Sequence, residues 1–203
     1  KQENWNQQWE ENFDPVKIND KCYIRAHFHD KIDCDYEIII TPKMSFGTGH
    51  HETTRLALMG LESCVSAGAS VFDVGTGSGI LSIAAMKLGA ASVMAVDTDP
   101  PAIENTQENL ALNDILEGVV VKEGSVGDVE GVFDVIVANI ISSILVPLIP
   151  AIASRTSKGG HVVLGGILTR ESAAFQQAVL DAGFVIDQLL EEGEWVCAVG
   201  KKQ

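Results

Sequence analysis

Residues 71–79 read Val-Phe-Asp-Val-Gly-Thr-Gly-Ser-Gly, and the next apolar run, 93–97, ends on a carboxylate, Asp97. An apolar run that breaks into Gly75, Gly77 and Gly79 reads as a buried strand turning sharply into a helix. A side chain at these positions would block a ligand from reaching the backbone, so a turn that cradles a ligand uses glycine. Asp97, closing the following strand, offers two acceptor oxygens to a ribose diol. Together the two features describe a pocket for an adenosine-type cofactor in an α/β fold.

The glycine spacing separates the adenosine cofactors. A dinucleotide fingerprint is Gly-x-Gly-x-x-Gly, and its last glycine lets helix and strand pack closely. That slot is Ile80 here, and the glycine falls one residue earlier at Gly79. Asp73 also sets a negative charge where a pyrophosphate would lie, and like charges held close are costly. S-Adenosylmethionine carries a sulfonium, an amino group and the same ribose but no phosphate. It is therefore the expected cofactor, with Asp73, Gly75, Gly77, Gly79 and Asp97 in its site. The alternatives are a nicotinamide-dependent oxidoreductase and a tight glycine turn in an unrelated α/β domain.

With 203 residues, 46% of them hydrophobic, the chain can bury one good core. No stretch reaches eighteen uninterrupted apolar residues, so no membrane partner is expected. Fourteen basic against twenty-eight acidic residues give a formal charge of −14, which opposes direct nucleic-acid binding. Cys22, Cys34, Cys64 and Cys197 are scattered without metal spacing and read as thiols of a reducing cytoplasm. The chain opens on Lys1 instead of a methionine, consistent with a processed or truncated product.

Trp5 and Trp9, four residues apart, share one face of a short helix, so residues 1–20 are expected to form a linker-like helical segment leading into a domain over 21–203. The runs 22–28 and 36–41 suggest a β-hairpin joined through Asp30 and Asp33. From residue 52 helices and strands alternate. Helices are expected near 52–66, 79–88, after Asp99-Pro100-Pro101, near 142–155 and at 169–182, with strands at 70–75, 92–97, 118–123, 132–138 and 160–166. This alternation predicts a doubly wound, mainly parallel Rossmann-like sheet with helices on both faces. Pro147 and Pro150 predict a kink or split in the helix that holds them. The final runs, 184–190 and 195–199, are separated by only four residues, too few for a crossover helix, so they must pair antiparallel.

Such sheets bind ligands at the carboxyl ends of their strands, where Gly75, Asp97, Gly124 with Ser125, and Asn139 all fall. Asp99 fits better as a helix N-cap ahead of Pro100. Asn139 can accept a hydrogen bond from an amine without adding a charge that would hold the amine protonated. Its alternative role is to cap the next helix. Residues 46–54, Phe-Gly-Thr-Gly-His-His-Glu-Thr-Thr, form a second glycine-bearing loop ahead of a helix. Phe46 there could meet a sulfonium or an incoming amine through its ring face, or simply anchor the loop. His50, His51 and Glu52 lack the further ligand a zinc site needs, so no metal is expected.

The segment 44–54, followed by Asp73 to Gly79, Asp97 and Asn139-Ile140, resembles the ribosomal protein L11 methyltransferase (PrmA) family. Residues 5–15, 165–168 and 194–197 also look like that family. The resemblance implies a class I methyltransferase fold with an antiparallel C-terminal strand. It further implies methyl transfer from S-adenosylmethionine to lysine and N-terminal amines of a large-subunit ribosomal protein. By matching position it adds Thr54 to Gly75, Asp97 and Asn139 as cofactor contacts, and it sets Thr76 where the family often has cysteine. Members of the family usually carry a small N-terminal recognition domain, which is expected to be absent from this chain apart from a linker-like remnant over residues 1–20. Alternatives left open by the residues are another protein or a small amine as acceptor, and a non-catalytic S-adenosylmethionine-binding module.

Overall fold

The structure, a computed structural model, describes residues 14–41 and 51–203. The helix expected around Trp5 and Trp9 and the position of Phe46 lie outside those residues.

Three short strands come first: β1 (Val16–Lys17), β2 (Cys22–Ala26) and β3 (Tyr36–Ile40). β1 pairs antiparallel with β2, but β2 and β3 pair parallel, with Cys22 opposite Tyr36 and Ala26 opposite Ile40. The expected hairpin is thus corrected. The link over 27–35 is long enough to carry the chain back along the full strand, since each extended residue spans roughly 3.3 Å. Arg25 and Glu37 face each other within the pair at 2.7 Å, their side chains only 9% and 14% exposed.

The rest builds one seven-stranded sheet. In chain order it comprises α1 (Glu52–Cys64), β4 (Ser70–Val74), α2 (Ile80–Lys87), β5 (Ser92–Asp97), α3 (Pro100–Leu112), β6 (Val119–Glu123) and β7 (Phe133–Asn139). α4 (Ser142–Arg155), β8 (Thr156–Leu168), α5 (Ser172–Asp181), β9 (Phe184–Glu192) and β10 (Trp195–Lys202) complete it. The spatial order is β6-β5-β4-β7-β8-β10-β9, and β10 runs antiparallel to both of its neighbours. The chain leaves β4 toward one edge and returns at β7 to build the other. A crevice therefore opens at the carboxyl ends of β4 and β7, where the winding reverses.

Strand alternation supplies both faces of the core. Val71, Val135 and Val137 point into one cluster with Leu56, Leu61, Ile80 and Ile83 of α1 and α2. Phe72, Ile136 and Ala138 point the other way, onto Leu145, Ile149, Ile152, Phe175 and Val179 of α4 and α5. α4 spans both Pro147 and Pro150 as a single helix, so the expected split does not occur. Burial of Leu145, Ile149 and Ile152 along one side offsets the two backbone bonds the prolines cannot make.

The small sheet is tied to the large one by side-chain amides. On α3, Asn113 accepts from the Ile39 N–H at 3.0 Å and donates to the Ile39 carbonyl at 2.6 Å, while Asn109 accepts from the Thr41 N–H at 2.8 Å. The Tyr36 hydroxyl donates to Glu62 of α1.

Candidate active site

The turn between β4 and α2 is fastened from both sides. The Gly75 and Thr76 N–H groups donate to the Val96 carbonyl at 2.9 and 3.0 Å. Thr106 of α3 donates to the Gly77 carbonyl at 3.1 Å and Asn109 to the Ser78 carbonyl at 2.8 Å. Gly75 (φ +75°) and Gly79 (φ +79°) both occupy the left-handed region, which L side chains avoid. A Cβ on Gly79 would lie 2.8 Å from Thr106 Cγ2, so this glycine serves the contact between the turn and α3.

Asp97 holds the same turn. Its Oδ2 accepts from the Gly77 N–H at 2.9 Å and its Oδ1 from the Asp99 N–H at 3.0 Å. A carboxylate has about four acceptor positions, so both oxygens retain capacity for a ligand. Asp99 occupies the N-cap position of α3 but makes no side-chain capping bond.

A cleft of about 500 Å³ lies over these strand ends. It is lined by Gly75, Gly77, Asp97, Ser125 and Asn139, which the sequence singled out, and by His51, Thr53, Ile140, Ile141, Ile144, Leu148, Gly166 and Trp195. Among the described residues that line it there is no lysine or arginine, so these walls offer no side-chain cation to a phosphate. Ser125 stands at the rim, where its side chain caps the 3-10 turn 126–128 against Asp128.

Three expected contacts sit elsewhere. Asp73 is fully buried beneath the turn, its Oδ2 accepting from Thr76 and Ser82, each at 2.7 Å, while its Oδ1 has no partner. Burial pushes its carboxyl up to about 6 despite the hydroxyl bonds, which pull the other way. Gly79 is the N-cap of α2. Thr54 is 2% exposed and does not line the cleft; its neighbour Thr53 does. Thr53, Trp195 and Gly166 all belong to segments that drew attention in the sequence, but their type alone gave them no role. Ile141 and Ile144 follow Asn139 and are 55% and 53% exposed, an apolar rim that periodicity would have buried.

Asn139 ends β7 in the cleft wall. α4 starts at Ser142 with Ile141 at its N-cap, so Asn139 is not the cap. Its Nδ2 donates to Thr53 Oγ1 at 3.5 Å, and its Oδ1 is buried with no partner. Asp73 Oδ1 and Asn139 Oδ1 are the two such buried atoms among the described side chains. Unpaired buried acceptors are costly and point to a missing partner. Among the described residues no group of three or more metal-ligating side chains gathers. The thiols of Cys22, Cys64 and Cys197 are pushed up to about 12 by burial, which leaves them inert as nucleophiles.

A parallel sheet with a reversed strand next to its edge, and a ligand cleft at the winding reversal, define a domain of the Rossmann-like methyltransferase type. Solved structures bear this out. The ribosomal protein L11 methylase of Lactobacillus delbrueckii subsp. bulgaricus superposes with a TM-score of 0.87 at 36% identity, covering 93% of this chain and 99% of that one. A precorrin-6y C5,15-methyltransferase of Geobacter metallireducens shares the fold alone, with a TM-score of 0.64 at 16% identity over 75% of this chain and 91% of that one.

The chain belongs to the ribosomal protein L11 methyltransferase (PrmA) family, whose model matches residues 1–203. Ribosomal protein L11 methyltransferases of Clostridium botulinum and Porphyromonas gingivalis are 38% and 43% identical to it, over 99% and 95% of the chain. The chain spans 65% and 67% of the length of those two relatives.

Proposed function

We propose that this protein is an S-adenosylmethionine-dependent methyltransferase acting on amines of a large-subunit ribosomal protein of the L11 type, with lysine and N-terminal amines as acceptors. In this reading residues 21–203 form the methyltransferase domain, 1–20 lead into it, and the reaction belongs to the cytoplasm. Among the described residues no helix is long and apolar enough to cross a membrane. The observation that carries the reading is the joint presence in one cleft of Asp97 and of Asn139, whose amide oxygen is buried without a partner.

The residues suit the cofactor. A cleft of about 500 Å³ is the size of a cofactor site. Its carboxylate suits a ribose diol, the lack of cations among its described lining residues suits a ligand without phosphate, and its isoleucines and Trp195 suit an adenine and an aliphatic chain. Asp97, Gly75, Gly77 and Ser125 would hold the nucleoside, with Asp73, Thr54 and Gly79 shaping the turn from behind. When bound, the sulfonium supplies an electrophilic methyl group.

The protein's part is chiefly placement. An unperturbed lysine amine has a pKa of about 10.4 and is mostly ammonium at neutral pH. A neutral carboxamide accepts an N–H without favouring the charged form, as a carboxylate would. Asn139 Oδ1 would therefore orient the amine with its lone pair toward the methyl, and the proton it sheds passes to water. Apolar walls exclude competing solvent. Fixing two reactants in line is worth roughly 7–11 kcal/mol of barrier. Phe46 stays in the reading as a ring that meets the sulfonium or the amine.

The test incubates the chain with methyl-labelled S-adenosylmethionine and separated large-subunit proteins. Label is expected in one basic protein of the L11 type. Cofactor binding in calorimetry with no labelled protein would overturn the transferase reading in favour of a binding module.

A further inference from the structure

The partner that Asn139 lacks on one end of its carboxamide it has on the other. Nδ2 points to Thr53 Oγ1 at 3.5 Å, and Thr53 is 6% exposed at the first turn of α1. The Thr53 hydroxyl has a second neighbour, His51 Nδ1, at 2.9 Å. His51 is the N-cap of α1, and the same Nδ1 accepts from the Thr53 backbone N–H at 3.3 Å. In the tautomer that lets Nδ1 accept from the Thr53 N–H this nitrogen carries no proton, and the hydroxyl then donates to it as well. The hydroxyl proton is thereby committed to His51, and what Oγ1 presents to Asn139 is a lone pair. A lone pair takes the NH2 end of a carboxamide and turns away the oxygen end. The imidazole packs in turn against Trp195 in a T-shaped contact, with ring centroids 5.0 Å apart. Gly165 leaves room at the other end, since a Cβ there would come within 3.1 Å of Asn139 Oδ1.

We propose that Thr53 is a positioning residue which, with its proton drawn by His51, fixes the carboxamide of Asn139 so that Oδ1 is the end kept for the acceptor amine. The inference rests on the transferase reading above and adds the residue that orients its central group. The reverse orientation would present an NH2 donor to an incoming amine, which repels a protonated amine and offers a neutral one a competing use for its lone pair.

Thr53→Val keeps the shape and removes the hydroxyl; Thr53→Ser keeps the hydroxyl and removes the methyl. In the full chain, Thr53→Val is expected to lower turnover about tenfold while the Kd for S-adenosylmethionine stays within about twofold, and Thr53→Ser is expected to restore turnover to within about twofold of the parent. Equal turnover of Thr53→Val and the parent overturns the proposal, as does an equal loss in both variants or a loss that follows cofactor affinity. A second readout needs no turnover. The side-chain NH2 resonances of Asn139, assigned through their disappearance in Asn139→Asp, are expected to move in Thr53→Val and to hold in Thr53→Ser. If they hold in both, Thr53 does not orient the amide. If the parent chain binds cofactor yet transfers no methyl group, the transferase reading fails, and the resonances alone decide the role of Thr53.

Discussion

The two sides of the cleft are built differently. On the β4–β5 side the turn is closed by hydrogen bonds: Val96 takes two N–H groups, Asp97 takes two more, and Thr106 and Asn109 hold the carbonyls of Gly77 and Ser78. On the β7–α4 side, Asn139 keeps a buried oxygen without a partner and Ile141 and Ile144 stand half exposed at the rim. The first side is braced by hydrogen bonds within the chain, with Asp73 Oδ1 left unpaired beneath the turn; in the proposed reaction the second side acquires its missing partner from the acceptor. In that reaction this is a division of labour in which binding of the donor rests on the hydrogen-bonded frame and catalysis on a group held back for the acceptor.

Asp97→Ala breaks the first side hardest. The carboxylate would give two charge-assisted bonds to the ribose, each worth about 1.5 kcal/mol or more. A rise of roughly two to three orders of magnitude in Kd for S-adenosylmethionine is expected in calorimetry. Asp97→Asn, which can still accept from the Gly77 N–H, should fall between the variant and the parent. Affinity unchanged in Asp97→Ala would remove the carboxylate from the donor site.

Asp73 gives the frame a measurable pH signature. A buried carboxyl whose folded value, about 6, lies above its ordinary 3.8 binds its proton more tightly in the folded chain than in the unfolded one. Its contribution to stability is therefore full below about pH 4 and is lost as the pH rises through about 6. The loss amounts to no more than about 3 kcal/mol. Asp134 and Glu37, held below the usual carboxylate range by their donors, drift in the opposite sense, so the comparison must be made against Asp73→Asn. Urea midpoints of the parent are expected to fall relative to that variant between pH 4 and 7. A constant difference would mean that Asp73 titrates alike in both states.

The side proposed for the donor was legible in the sequence and the side proposed for the acceptor only in part, for a physical reason. Gly75, Gly77 and Asp97 announce themselves because a left-handed turn and a strand-end carboxylate are written in residue type and spacing. Thr53 and Trp195 do not, because Thr53 reaches Asn139 from α1, 86 residues before it, and Trp195 enters the cleft from β10, beyond β8. The parallel sheet and its reversed last strand followed from element alternation and a four-residue link. The parallel pairing of β2 with β3 did not, since alternating polarity fixes which face is buried and says nothing of direction. Pro147 and Pro150 failed as breakers because local propensity yielded to the burial of α4 on the sheet.

Asn139→Ala tests the second side. If the amide acts on the acceptor and not on the donor, kcat should fall about tenfold while the Kd for S-adenosylmethionine changes little, the opposite of Asp97→Ala. An equal loss of both would place Asn139 on the donor side and dissolve the division of labour.

The smallest effect is expected where the two sides touch. A Cβ on Gly75 would meet Ile140 Cγ2 at 2.6 Å, the far end of a side chain that can rotate away. Gly75→Ala should then cost chiefly the left-handed backbone penalty, about 1 kcal/mol, read as a shift of a few degrees in Tm. Because Ile140 adjoins Asn139, the displaced methyl presses from the rigid side on the adaptable one. The comparison predicts that turnover falls more than cofactor affinity, since the frame is braced by hydrogen bonds on both flanks and Asn139 Oδ1 by none. A loss confined to cofactor affinity would show that the strain runs back into the turn, and that the frame is the softer of the two.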